Sequence, residues 1–192
     1  MKASREQAAA SRERILDVAS KRFRERGFDG VGVADLMHDA GLTHGGFYGH
    51  FGSKDELMAE ACAHALSMSV QRWQRLAASG AGNPAARLAR SYLSARHRDD
   101  PGAGCALATL GADVARRPAG VRHAITDGLR SLVDILASVV AGRTKAARRR
   151  KALALYASMI GAMVLARAVD DDALSKEILD AVTASVETAA VR

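Results

Sequence analysis

The sequence predicts an all-α protein: an N-terminal three-helix, helix-turn-helix domain followed by a larger helical domain, nine helices in all. Three observations carry that expectation. Alanine, leucine and arginine, which are strong helix formers, dominate the composition. Apolar residues recur at helical spacing through most of the chain. Strand signals are weak, with few β-branched runs and only three prolines in 192 residues. Apolar residues at 48% and charged residues at 26% are the balance of a globular chain with a real core.

Arg5 to Arg26 reads as an amphipathic helix, with Ile15, Ala19 and Phe23 on one side and Arg12, Arg14, Lys21, Arg22, Arg24 and Arg26 on the other. Gly27 supplies a left-handed cap. After a short connection, Val33 to Ala40 forms a second helix with Val33, Leu36 and Met37 inward, and Gly41 ends it. Thr43 is placed to cap a third, two-turn helix reaching about His50. Ser53 and Glu56 form a capping box that opens a long helix, Lys54 to Ala78, with Met58, Cys62, Ala65, Ser69 and Trp73 on one stripe. Asn83-Pro84 starts a fifth helix running to Asp99. Cys105–Arg116 and Val121–Val140 follow, the latter with Ile125, Leu129, Leu132, Val133 and Leu136 on one side. Arg143–Lys151 holds six basic residues and no acid, and reads as a solvated loop. Ala152–Val169 is an apolar helix, and Asp170-Asp171-Asp172 caps the last one. The expected domains are the helix-turn-helix unit of residues 1–55 and a second domain of residues 56–192.

The formal net charge is +7 and the pI about 9.9, which favours polyanionic partners. Residues 1–55 carry nine Lys/Arg and eight Asp/Glu, so bulk charge does not single them out as the binder. Two cysteines are too few for a disulfide scaffold, the opening segment is polar, and the longest uncharged apolar stretch, Ala152–Ala166, is short for a membrane span. These features predict a cytoplasmic protein with no membrane partner. No nucleophile elbow, phosphate loop, dinucleotide fingerprint or Glu-x-x-His pair occurs, so neither an enzyme nor a cofactor is expected. Cys62, His64, His97 and Cys105 match no zinc spacing, and no metal is expected.

The most informative stretch is Gly41–Phe51, GLTHGGFYGHF. Glycine costs about 1 kcal/mol against alanine inside a helix, yet helical patterns flank this stretch on both sides. Helix, glycine turn, short helix is the helix-turn-helix arrangement, whose second helix must approach a phosphate-lined groove closely. Small residues at Gly45 and Gly46 permit that approach. Thr43, His44, Tyr48 and His50 project donors, the helix start adds free N–H groups, and Lys54 offers a further phosphate contact. Phe47 and Phe51, one turn apart, pack inward against Phe23 and Leu36.

Residues of about 10–60 resemble the DNA-binding domain of the TetR family of bacterial repressors. The resemblance runs through AGLTHGGFYGHFGSKDEL: the turn glycine Gly41, the hydroxyl Thr43, Gly45, Tyr48, the His50-Phe51 pair and the Ser53-Lys54 pair. Gly32 stands where the family often has a hydroxyl, His44 where it often has lysine and Gly46 where it often has threonine. Fewer side chains therefore reach base edges, and backbone contacts and DNA shape carry more of the recognition. The resemblance implies a ligand-responsive repressor, homodimeric on a palindromic operator and released by a small, hydrophobic effector. It implies an apolar pocket in the middle helices, for which Met68, Trp73, Tyr92, Cys105, Met159 and Met163 are the candidates. The last two helices are the candidate dimer interface, through Ala157, Ile160, Gly161, Val164, Ile178, Val182 and Val186. Cys105 at a helix start suggests a second possibility, a repressor that senses oxidants or electrophiles. A helical protein-interaction module with a basic surface is the other alternative, and it leaves the glycine-turn motif unexplained.

Overall fold

The structure, a computed structural model, describes residues 5–191. Met1–Ser4, part of the polar opening segment, and Arg192 lie outside the described residues. Nine α-helices and two short 3-10 helices are found, and no strand occurs among the described residues. The α-helices are α1 (Arg5–Arg26), α2 (Val33–Asp39), α3 (Lys54–Ala78), α4 (Pro84–Tyr92), α5 (Ala95–Asp99), α6 (Ala106–Val114), α7 (Ala119–Val139), α8 (Lys145–Ala168) and α9 (Asp172–Val191). The 3-10 helices are His44–Gly49 and Pro101–Ala103.

The N-terminal elements close on a small core of Ile15, Ala19, Phe23, Phe28, Leu36, Met37, Phe47 and Phe51, all buried. Phe23 and Phe28 meet at 5.3 Å and Phe47 stacks on Phe51 at 5.8 Å. Gly27 and Gly41 stop α1 and α2 at φ +73° and +70°, which a side chain would oppose. Ser53 Oγ accepts the Glu56 N–H at 3.1 Å, as the capping box requires, but the Glu56 carboxylate reaches back to the Gly52 N–H at 2.8 Å, one residue earlier than expected.

The larger domain is organised around α3, which packs along α7 and against α1 and α4. The close approach of α3 and α7 depends on Gly128. A Cβ built there would lie 2.5 Å from Leu66 Cδ1, so Leu66 of α3 fills the space that any side chain on α7 would need. Helix α8 packs on α6, α7 and α9. By length and composition it is long and apolar enough to cross a membrane, unlike the shorter apolar stretch expected from sequence. Its buried residues, among them Leu155, Tyr156, Met159 and Met163, belong to the core of the larger domain.

Three expectations are corrected. The basic run is not a loop: Thr144 Oγ1 accepts the Ala147 N–H at 3.1 Å and starts α8 at Lys145, so the cations decorate its first two turns. The fifth helix is two helices, because Ser94 Oγ caps a new one by accepting the His97 N–H at 3.3 Å. Lys54 does not present its ammonium to solvent. Its Nζ donates to the carbonyls of Phe28 at 2.7 Å and Val31 at 2.8 Å, satisfying acceptors that the α1–α2 connection leaves without backbone partners. Lys54→Met therefore leaves two carbonyls without that donor and is expected to cost about 2–3 kcal/mol of stability. Urea unfolding of both proteins measures it.

Candidate nucleic-acid interface and adjoining cavity

Residues 44–49 form a single 3-10 segment whose inner side is Phe47, 1% exposed, and whose outer side is Tyr48, 73% exposed. Thr43, His44, Gly45 and Gly49 are exposed, and Gly46 and His50 are half-buried. Thr43 occupies the N-cap position in extended conformation, but its hydroxyl makes no capping bond and remains available. None of Gly45, Gly46 and Gly49 has a positive φ. A Cβ built at Gly45 or Gly49 meets nothing within 4 Å, and at Gly46 only ordinary contacts with Thr43 and Met37. The protein's own fold therefore does not demand these glycines. They leave bare backbone on an outward surface beside an exposed phenol and two imidazoles. Of the seven expected contact residues, six lie along this strip, and Lys54 is turned away into the α1–α2 connection.

Behind this unit lies a cavity of about 450 Å³. Met68, Trp73, Tyr92 and Cys105 line it as expected, joined by Tyr156. Met159 and Met163 do not: both are fully buried in the core of α8, where flexible thioethers fill packing gaps. The apolar floor is a ring cluster, with Trp73 edge-on to Tyr156 at 5.1 Å and to Tyr92 at 6.0 Å, and Tyr92 at 5.9 Å from Tyr156. The rest of the lining is polar, and periodicity did not point to it. Asp17, Ser20, Lys21 and Arg24 come from α1, and Arg72 and Arg75 from α3. Of the six cations on the polar face of α1, Lys21 and Arg24 turn to the wall of the cavity. The clue available was Arg24 itself, the residue after the buried Phe23.

His97 fastens the segment that closes the cavity. Its Nδ1 lies 2.6 Å from the Tyr92 carbonyl, and its Nε2 accepts the Cys105 N–H at 2.9 Å. A carbonyl only accepts and an amide N–H only donates, so the ring is the neutral Nδ1–H tautomer. Burial pushes its pKa below the ordinary 6.5, with the Tyr92 carbonyl opposing. The Cys105 thiol sits 3.4 Å from the Tyr156 hydroxyl, whereas burial drives the Cys62 thiol up to about 12. His64 is held by Asp17 at 2.8 Å. Among the described residues no three His, Cys, Asp or Glu side chains converge as a metal ion requires.

Comparison with known proteins matches residues 15–61 to the model of bacterial regulatory proteins of the tetR family. The transcriptional repressor NemR of Escherichia coli is 27% identical over 133 residues, covering 68% of this chain and 67% of that protein. The solved structure of its reduced form superposes with a TM-score of 0.78 at 25% identity, over 93% of this chain and 96% of that one. Residues 15–61 thus match the tetR-family regulators, and the fold of the chain is the one NemR has. Its match to the regulator YerO of Bacillus subtilis, 27% identical, spans 46% of this chain and 30% of YerO. Its match to the repressor KstR2 of Mycobacterium tuberculosis, 32% identical, covers 46% of this chain and 44% of KstR2.

The last two helices, α8 and α9, are the dimer surface expected from sequence. Ala157 and Val164 are exposed, and Ile160, Gly161, Ile178 and Val182 are half-buried along the same pair of helices. Val186 is excluded: it is 1% exposed and faces the protein's own core. Sequence reasoning missed Leu153, Leu165 and Leu174, all large apolar residues left exposed on these helices.

The neutral His97 has a consequence for stability. Its pKa is depressed in the folded state, so the unfolded chain takes up a proton first as the pH falls. Its contribution is complete above about pH 6.5 and is lost progressively below it. Thermal melts should show the parent losing more Tm on acidification than His97→Gln, which starts lower at neutral pH and falls less.

Proposed function

We propose that this chain is a homodimeric transcriptional repressor, a regulator rather than an enzyme, that binds a palindromic operator and is released by a small effector in the cavity. The division is the one expected from sequence, residues 1–55 for DNA and 56–192 for effector and dimer. The observation that carries the reading is the outward strip of residues 43–50. Three glycines there have no packing role, and removing side chains from an outward surface makes sense where another molecule must come close. Thr43, His44 and Tyr48 surround them with donors, and His50 stands at the edge. The helix start and its free amides favour a phosphate. With no lysine or arginine on the strip, recognition rests on backbone, phenol and imidazole contacts and on DNA shape.

A two-fold dimer places two such strips on half-sites about 34–36 Å apart, one helical turn of DNA, or a multiple of it. The exposed apolar residues of α8 and α9 supply the surface. Effector release follows from differential affinity: a ligand favouring the arrangement with mismatched strips draws the population off DNA. Helices α1 and α3, which wall the cavity, are the levers. The transcriptional regulator FadR of Bacillus subtilis, solved in complex with stearoyl-CoA, shares the fold at a TM-score of 0.66 and 16% identity.

Tyr48→Ala combined with His50→Ala should weaken binding to the chain's own promoter DNA roughly 10- to 30-fold, two neutral contacts at about 1 kcal/mol each, with the salt dependence unchanged because no cation is removed. A shift assay in which the affinity stays the same sinks the major-groove assignment. Binding to no promoter fragment at all favours a protein-interaction module instead. For the dimer, Gly161→Glu with Val182→Asp is expected to yield monomers in sedimentation, and intact dimers would reject this face.

A further inference from the structure

We propose that the cavity takes a small organic acid, its carboxylate against the Arg24 guanidinium and its aromatic or branched apolar body against Trp73, Tyr92 and Tyr156. The proposal rests on the cavity being the effector site and names the ligand class that site is built for.

The lining charges are unbalanced. Lys21, Arg24, Arg72 and Arg75 line the cavity with two carboxylates, Asp17 and Asp100, and Lys21 also meets Glu25 at 3.8 Å, so Arg24, Arg72 and Arg75 are the cations in excess. Both carboxylates are engaged: Asp17 by His64 at 2.8 Å, and Asp100 by the Ala103 N–H at 3.0 Å. Arg72 donates only to the neutral Ser91 hydroxyl at 3.2 Å. Arg24 is the decisive residue. Its side chain is largely removed from water, it forms no ion pair among the described residues, and its only acceptor is the Gly102 carbonyl, 2.8 Å from Nε. A half-buried guanidinium without a counter-ion is a costly arrangement, and a bidentate carboxylate is the partner that its planar fork fits. A second group in the same wall is poorly satisfied: the hydroxyl of Tyr92, 5% exposed, has among the described residues no hydrogen-bond partner better than the weak Cys105 thiol. A neutral apolar ligand would desolvate both groups further and pair neither. A cation would be repelled. An acid supplies the missing charge and acceptors at one end while its body covers the three rings at the other.

The position of Arg24 ties this chemistry to release. It lies at the end of α1, the first helix of the DNA-binding unit, and holds the 101–103 segment against that helix. A Cβ built at Gly102 would fall 2.6 Å from Glu25 Oε1, so the two are in direct apposition. A carboxylate that takes the guanidinium competes with the Gly102 carbonyl and loosens α1 from the segment behind it.

The chain has one tryptophan, Trp73, in the cavity wall, so its emission reports occupancy. The full-length protein is titrated with benzoate, phenylacetate and octanoate, with the amide of each, and with inorganic phosphate. At least one acid should give a saturable change, with its amide about tenfold weaker or worse, and phosphate alone should give none. Arg24→Gln should close the gap between acid and amide. Because that variant also frees Gly102, Arg72→Gln, which touches no backbone, is run beside it and should narrow the gap while melting normally. Amides binding as well as acids, silence from all three acids, phosphate alone saturating the signal, or a gap unchanged in both variants would each overturn the proposal. An acid that binds with the expected selectivity yet leaves promoter DNA bound upholds the ligand chemistry and removes the effector reading instead.

Discussion

The six residues from His44 to Gly49 cannot hold their own shape. A helix this short returns less in hydrogen bonds than its ordering costs, and three of its residues are glycines, each about 1 kcal/mol worse than alanine. Two phenylalanines carry the difference. Phe47 and Phe51 are each 1% exposed and stack on one another within a core shared with Phe23, Phe28, Leu36 and Met37. Burying a phenylalanine is worth about 1.5–3 kcal/mol, so the pair offsets the glycines with little to spare. The outer side of the segment keeps its form only because the inner side is locked.

That small core is continuous with the core of the larger domain through Phe23, Ala61, Cys62 and Leu110, and polar contacts are added along the seam. Arg12 meets Glu60 at 2.6 Å and also covers the Phe51 ring, at 4.6 Å from its centre. Arg117 of the larger domain pairs with Asp29 and lies 5.1 Å from the centre of the Phe28 ring. Asp17 and Arg24 add ties at His64 and Gly102. Such bonds exchange partners more readily than a packed apolar seam does, because each charged group finds a comparable partner in water or ligand.

Much of this was legible in the sequence. Periodicity located every long helix, and Gly27, Gly41 and Ser53 fall at the helix boundaries they signal. The outward strip was readable because residue type alone separates Phe47 from Tyr48. Errors arose where a side chain's partner is distant in the chain. Lys54 looks like a free cation until the carbonyls of Phe28 and Val31 are seen beneath it. Val186 continues the stripe of Ile178 and Val182, but a helix with two apolar borders does not declare which one faces inward. The polar wall of the cavity was invisible because Arg24, His97 and Arg72 come from three segments whose meeting no local pattern encodes. A charge run outweighed the single Thr144 that starts α8, and one hydroxyl at Ser94 sufficed to divide what periodicity joined.

The contact between Gly128 and Leu66 bears on how this molecule deforms. With Leu66 seated in the notch left by a missing side chain, α3 and α7 form a keyed joint: sliding either helix along the other would drive the leucine into neighbouring α7 side chains. The α3–α7 pair is thereby fixed in register as well as in distance, so a displacement of one helix along its axis has to carry the other with it.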